Sequence, residues 1–423
     1  MTRAEKLQAP RGTFDVLPEA GRRRAELLRT TAKLLEAAGY EPFEAPVLED
    51  TRLFERGVGE STDIVQKEMF TFEDQGGRSL TLRPEGTAGV CRAYVEHGMH
   101  KLPQPVKLWY QGPFFRHEAP QAGRYRQFAQ IGAEALGSED PTLDAELILL
   151  LAELLERVGA RGVRLRISSL GTAETRGEYS DELRRHLRVH EDELSEEVRA
   201  RIDRNPLRAF DSDHPGTRRV MESAPRLVDR LTPQDREHLE AVRGLLEDAG
   251  CTHELDATLV RGLDYYTRTV FEFTSDALGA QSGLGGGGRY DGLVEELGGP
   301  PTPGVGWAAG VERVLLAAGG EARGRRPDVF VAVPKADRSS LAFGVLRELR
   351  RAGLEARMEQ AGRSLKGQLK HADRLGARAL VIVGDELEVK DMRSGDQRAV
   401  ADVGEAVRLA SEVGGAAVAE GTA

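Results

Sequence analysis

The stretch that most constrains what this chain of 423 residues can fold into is a hairpin written into positions 108–137. LWYQGPFF (108–115) is an apolar, aromatic run of strand length. It passes without a break into Arg116, His117 and Glu118 and turns through Pro120 and Gly123. It returns through Arg124, Arg126, Phe128, Ile131 and Ala133, with Gln130 and Glu134 set between the apolar positions. A fold built on this hairpin must bury two strands and still accommodate charged groups at their ends. Leaving even a neutral polar group buried without a partner costs on the order of 2–7 kcal/mol, so Gln130 and Glu134 are expected to face a ligand or one another. These residues favour a polar ligand site over a solvated surface turn.

Composition sets the outer limits. With 40% hydrophobic and 30% charged residues the chain reads as globular and soluble, and its length suggests two or three domains. No apolar run approaches the ~20 residues that span a bilayer, and MTRAEKLQAPRG at the start has no signal-peptide core. Cys91 and Cys251 are far apart, with no CxxC, which fits a reducing cytoplasm and argues against a thiolate metal site. The formal net charge of −10 gives no global attraction for nucleic acid, so RNA binding needs local basic patches.

Along the chain, 21–38 is an amphipathic helix stopped by Gly39, and the prolines at 42 and 46 restrict the next segment to an edge strand or extended chain. SLTLR (79–83) is a strand ended by Pro84, 143–159 a core helix and 163–171 an alternating strand. Between about 172 and 250 the sequence is charged helix with few strand signals, which reads as a helical insertion between two halves of a sheet domain. Strand character returns at TLVRGLDYYTRTVFEFTS (258–275). After a linker ending near 328, strand and helix alternate, which predicts an α/β domain with a largely parallel sheet. No GxGxxG follows its first strand, so a dinucleotide site there is not expected.

Four stretches carry the chemistry: TLRPEGTAG (81–89), the opening hairpin, LVRGLDYYTRTVFE (259–272), and GGGGRYDGLVEELGG (285–299) followed by PGVGWAAGVERV (303–314). The glycines at 283 and 285–288 are either a flexible loop or backbone that lies against a ligand; Arg289 and Tyr290 directly after them favour the ligand. No GKS or GKT ends the run, so it is not a Walker loop. Arg116, Arg124, Arg261 and Arg313 lie in ordered-looking segments and together suggest a polyphosphate, which a planar guanidinium fork matches. Glu85, Gln130 and Glu134 supply acceptors and Thr87 a hydroxyl. The site therefore wants an anion on one side and a cation on the other, as an amino acid beside ATP provides.

PVLEDTRLFERGVGESTDIVQKEMF (46–70), LWYQGPFFRHE with GRYRQF, and GVGWAAGVERV resemble the three signatures of class II aminoacyl-tRNA synthetases. LVRGLDYY and GGGGRYDGL resemble two stretches particular to the histidyl-tRNA synthetase family, and the likeness covers nearly the whole chain. The resemblance implies an α+β catalytic domain (1–326) built on an antiparallel sheet with a helical insertion (172–250), and a C-terminal α/β anticodon-binding domain (327–423). It implies histidine activation by ATP and transfer to tRNA(His), a cytoplasmic homodimer with the segment around Pro46 at its interface, and Mg²⁺ accompanying ATP with no dedicated protein metal site.

Residue by residue, the resemblance implies that Arg116 binds the α-phosphate, Glu118 contacts adenine, Phe128 stacks on it, and Arg124 and Arg313 hold phosphates. Arg261 lies by the α-phosphate and the substrate carboxylate, a catalytic position it shares with Arg116. Glu85, Thr87 and Gln130 hold the α-amino group. Glu134 and Tyr266 read the imidazole, with Tyr265 and Tyr290 lining the pocket. The chain departs from the family at Ala119, Ala122 and Ala129, where relatives often carry basic residues or His, so acceptor-end contacts are expected to differ. In the C-terminal domain Arg363, Lys366, Lys370, Arg374 and Arg378, opposed by Asp373, suggest RNA backbone contact. Two rivals are a catalytically inert relative that regulates histidine biosynthesis and a histidine-sensing or RNA-binding module. Retention of the ATP arginines and of the C-terminal domain argues against the first.

Overall fold

The computed structural model describes residues 7–59, 62–120, 123–260, 263–279, 282–320 and 326–415. The chain divides into two compact units, Met1–Ala322 and Arg323–Ala423.

The first unit contains strands β1 (Glu41–Pro42), β2 (Leu48–Asp50), β3 (Phe70–Glu73), β4 (Ser79–Leu82), β5 (Val106–Phe115), β6 (Gln127–Leu136), β7 (Val163–Ser169), β8 (Glu254–Leu255), β9 (Thr267–Ser275), β10 (Gly283–Arg289) and β11 (Gly304–Gly310). Eight of them form one sheet in the order β1-β5-β6-β11-β10-β9-β7-β8, and β2-β4-β3 form a small second sheet. The large sheet is antiparallel from β5 to β7, with the short strands β1 and β8 added parallel at its edges.

Alternate residues of a strand face opposite sides of a sheet, and here the sides differ sharply. One side carries Ile131, Ala133, Val305, Trp307, Phe271 and Ile167. Leu147, Leu151 and Leu154 of the helix Pro141–Arg157 and Leu27, Leu34 and Leu35 of the helix Pro18–Ala37 close over it. The register places Glu134 beside Gly306, Gly306 beside Gly288, and Ala308 beside Gly286, which in turn pairs with Glu272. The other side is therefore polar at β6 and β9 and almost bare between them, so the sheet has a trough over β10 and β11.

The glycine run is thus a regular strand and not a loop. Among the described residues of 258–275 the strand begins at Thr267, and Leu263, Tyr265 and Tyr266 before it line the trough cavity. Residues 170–253, all described, contain no strand; the helices Ala173–Val189, Pro215–Glu222 and Pro233–Asp248 and shorter turns fill them.

The second unit has β12 (Val329–Ala332), β13 (Ala356–Met358), β14 (Ala379–Val383), β15 (Leu387–Asp391) and β16 (Gln397–Val400) in the order β13-β12-β14-β15-β16. The first three are parallel and the last two form an antiparallel hairpin. Fully buried Val329, Val331, Val381 and Val383 alternate with Phe330 and Leu380, which lie on the opposite side, so helices cover both faces. Of the five basic residues around 363–378, Arg363 pairs with Glu359 and Arg378 with Asp328, both at 3.2 Å. Lys366, Lys370 and Arg374 are exposed along the helix Leu365–Leu375.

Candidate functional site

The trough opens into a cavity of about 690 Å³ lined from every element the sequence singled out. Glu85 and Thr87 enter where β4 gives way to the helix Thr87–Glu96; Arg116 and Glu118 come from the end of β5, Arg124 from the hairpin turn, Phe128 and Gln130 from β6. Tyr265, Tyr266 and Tyr290 close one end and Arg313, on the helix Val311–Ala318, stands at the other. Arg261 lies outside the described residues, as does Ala122.

At the cationic end, Arg116 Nε donates to the Pro84 carbonyl at 2.9 Å, and its guanidinium lies 5.5 Å from the centre of the Phe128 ring. Arg124 donates to Glu118 at 3.2 Å, and Arg116 approaches the same carboxylate at 3.9 Å. Arg313 Nε bonds the Gly283 carbonyl. Burial, and then the charge of nearby Arg124, pull the Arg313 pKa down. Positive charges crowded in this way lower each other's proton affinity and raise the attraction for a polyanion.

The other end is built from acids and phenols. Glu85 accepts backbone N–H bonds from Thr87 at 2.8 Å and Ala88 at 2.9 Å, which fixes its carboxylate at the start of the helix Thr87–Glu96; burial pushes its pKa up. The side-chain oxygen Oε1 of Gln130 is buried without a hydrogen-bond partner. An orphan acceptor in a cavity wall is an open place for a donor. Glu134 does not line the cavity. It lies fully buried beneath the floor, accepting from Tyr290 at 2.6 Å, Thr87 at 2.7 Å and Tyr110 at 3.2 Å. Burial pushes its pKa up to about 8, against the pull of these hydroxyls. Two of the residues it holds, Thr87 and Tyr290, line the cavity; the family resemblance implied that Glu134 itself reads the imidazole.

Two glycines make this possible. A Cβ on Gly306 would overlap the Glu134 carboxylate, and one on Gly304 would overlap the Tyr290 ring. Arg289, taken from sequence as a sign of a ligand, has another role: it is fully buried on the apolar side, bonded to Asp144, Asp291 at 3.2 Å and the Ser138 carbonyl at 2.9 Å. Alternation along β10 sends Gly286 and Gly288 to the trough side and Gly287 and Arg289, paired with Trp307 and Val305, to the core side.

Sequence reading passed over three contributors. Tyr110 braces Glu134 from β5. Glu272, held by Arg166, forms part of the cavity wall. The N-terminal Arg11-Gly12-Thr13-Phe14 clips the returning arm of the hairpin: the Arg126 N–H donates to the Gly12 carbonyl at 2.7 Å, and the Phe14 ring lies 4.4 Å from Tyr125, a cavity residue. Alternation along β5 and β9 could have flagged the first two; nothing local marks the third.

An antiparallel sheet with an arginine-bordered trough, a helical insertion and a separate α/β unit defines a class II aminoacyl-tRNA synthetase. The comparisons narrow this. Residues 12–314 match the family model described as Histidyl-tRNA synthetase, and 328–410 match that of an anticodon binding domain. The chain is similar to the histidine–tRNA ligase of Desulforamulus reducens, 46% identical over 403 residues covering 92% of this chain and 96% of the relative. It is also similar to that of Corynebacterium urealyticum, 48% identical over 411 residues covering 94% and 95%. The crystal structure of apo histidyl-tRNA synthetase from S. aureus superposes with a TM-score of 0.80 at 35% identity, covering 96% of this chain and 99% of that one. A Bacillus halodurans structure described as an ATP phosphoribosyltransferase regulatory subunit/histidyl-tRNA synthetase shares the fold alone, at 22% identity and a TM-score of 0.64. The chain belongs to the histidyl-tRNA synthetase family.

Proposed function

We propose how this chain carries out the reaction of its family. As a histidine–tRNA ligase it activates histidine with ATP to histidyl-adenylate and pyrophosphate, then transfers the histidyl group to the terminal adenosine of tRNA(His). The observation that carries the reading is convergence: Arg116 and Arg124 of the hairpin and the distant Arg313 line the same cavity as Glu85, Gln130, Tyr265, Tyr266 and Tyr290.

The adenine packs on Phe128 with Arg116 behind the ring, and Glu118 contacts its edge. Arg116 holds the α-phosphate, while Arg124 and Arg313 hold the outer phosphates. The histidine carboxylate is already a nucleophile at neutral pH, so adenylation needs alignment and positive charge at the α-phosphorus more than a base. Arg261 supplies that charge near the carboxylate. The α-ammonium donates to the orphan Gln130 oxygen and to Glu85, with Thr87 alongside; an ammonium there draws Glu85 back to its ionised form.

Glu134 engages the hydroxyl protons of Thr87, Tyr110 and Tyr290, so the oxygens of Thr87 and Tyr290, with Tyr266, present acceptors to the imidazole. A side chain unable to pair with these groups leaves them unsatisfied, which can cost about 10⁴-fold in discrimination. Mg²⁺ would accompany ATP at the cationic end, where Glu118 and Glu272 are the carboxylates nearest the guanidiniums, and would supply positive charge to the phosphates.

Further readings rest on surface features. Leu48 and Phe72 of the small sheet are 43% and 44% exposed, beside a cavity lined by Phe43, Pro46 and Arg92, which supports a homodimer through this region. Lys366, Lys370 and Arg374 support contact with the tRNA backbone. Among the described residues no helix is long and apolar enough to cross a membrane, and both cysteines are free, which supports a cytoplasmic setting.

Histidine-dependent exchange of pyrophosphate into ATP tests the reading. Exchange that responds equally to any amino acid would overturn the histidine assignment. Arg261→Ala is expected to slow adenylate formation with histidine affinity much less changed; lost affinity at an unchanged rate would refute its role.

A further inference from the structure

The helix Ala173–Val189 places Arg176, Ser180 and Arg184 at successive i, i+4 positions, on one face. That face borders a second cavity of about 170 Å³, and Arg204 and Asn205 line it from a later turn of the insertion. Asp264 supplies a carboxylate, already accepting from Asn205 Nδ2 at 3.1 Å. Among the described lining residues, three guanidiniums therefore face one acid.

The guanidiniums are not fully spent. Arg184 Nε is buried without a hydrogen-bond partner, although its Nη1 pairs with Asp181 outside the pocket. Arg176 donates to the Tyr266 carbonyl, and burial pulls its pKa down against the opposing charges of Asp264 and Glu296. A buried donor without a partner beside surplus positive charge is a place for an oxyanion. The pocket has room for one tetrahedral anion. The pocket shares Leu263 with the main cavity and touches its Tyr266 through Arg176.

We propose that Arg176, Arg184 and Arg204 form a binding pocket for a single phosphate group, and that the backbone of the RNA substrate supplies it. The source of the phosphate rests on the reading of the chain as a tRNA ligase; the pocket does not. Arg184 and Arg204 stand outside the activation machinery, so removing them separates RNA engagement from adenylation. Arg176 is left intact because it also holds the Tyr266 backbone.

The test uses full-length Arg184→Gln, Arg204→Ala and the double variant. Histidine-dependent exchange without tRNA should be unchanged. The KM for tRNA(His) in aminoacylation should rise about tenfold in the double variant, and the dependence of log kcat/KM on log salt should become shallower by roughly 0.7–0.9 per lost phosphate contact. Arg184→Lys, which keeps charge but not the fork, should fall between wild type and Arg184→Gln.

Inorganic phosphate at millimolar concentration, read by the thermal midpoint, distinguishes the source. Stabilisation of wild type but not of the double variant, with tRNA KM unchanged, would assign the pocket to free phosphate and overturn the RNA source. No change in either readout would overturn the pocket. Absence of exchange in wild type would defeat the ligase reading, while the phosphate titration would still decide the pocket.

Discussion

The two faces of the eight-stranded sheet are made from the same strands, one residue out of step. On β11, Val305, Trp307 and Ala309 go to the apolar core, while Gly304, Gly306 and Ala308 go to the trough. The core face is filled by interlocking side chains from four helices and from Phe271 and Phe273. The trough face is emptied by leaving side chains out, and its polar groups sit only at the margins. Stability and catalysis are thus carried by alternate residues of one backbone, and substitutions a single position apart should have different effects.

The largest effect should come at the margin of the trough. Arg116→Ala is expected to lower histidine-dependent exchange by about 10²–10³-fold, the scale of losing a fixed donor to developing charge, with the thermal midpoint nearly unchanged. Equal loss of stability and activity would erase the distinction between the faces. Gly306→Ala comes next. Its methyl group would displace Glu134, and displacements of about 1 Å at such sites can cost ~10²-fold, so kcat/KM for histidine should fall by up to that factor. A wild-type value would show that the bare strand is not what shapes the pocket.

On the opposite face Ile167→Ala should behave the other way. It removes a fully buried side chain and should cost about 2–5 kcal/mol of stability, read by thermal or denaturant unfolding. The KM for histidine of the folded enzyme should stay the same.

The smallest effect sharpens the comparison through pH. The Glu134 carboxyl, near 8 when folded, lies above its ordinary value of 4.5. Between those values the folded protein holds a proton that the unfolded chain has released. The contribution is complete below about pH 4.5 and is lost as pH rises through about 8, one pKa unit corresponding to about 1.4 kcal/mol. The thermal midpoint of the wild type should therefore fall more steeply over this window than that of Glu134→Gln. Parallel curves would mean that the buried carboxyl titrates normally.

Much of the trough was legible because its residues are unusual for their settings. Gln130 and Glu134 interrupt an apolar strand, and Glu85 follows a strand-ending proline. Arg289 was equally unusual and misled, since its position beside Tyr290 does not show which side of the strand faces the trough; alternation from Gly288 turns it toward Asp144. Glu134 was read as facing the substrate; the packing of Tyr110, Tyr290 and Thr87 around it, which no local pattern shows, sets it beneath the cavity wall. The glycine run allowed either loop or strand until its neighbours were known, since glycine has no side chain to express a period.

The amino-acid order by itself determined the strands β5 and β6, the helical insertion, the α/β pattern after residue 328 and the chemical types gathered at the site. Local periodicity and residue chemistry act over a few neighbours and can be read in one dimension. Only the tertiary structure decided that the hairpin arginines and Arg313 border one cavity, that Phe14 clasps Tyr125, and that Arg176, Arg184 and Arg204 share a pocket. Those meetings depend on strand order and register, which long-range packing selects and no short stretch of sequence encodes.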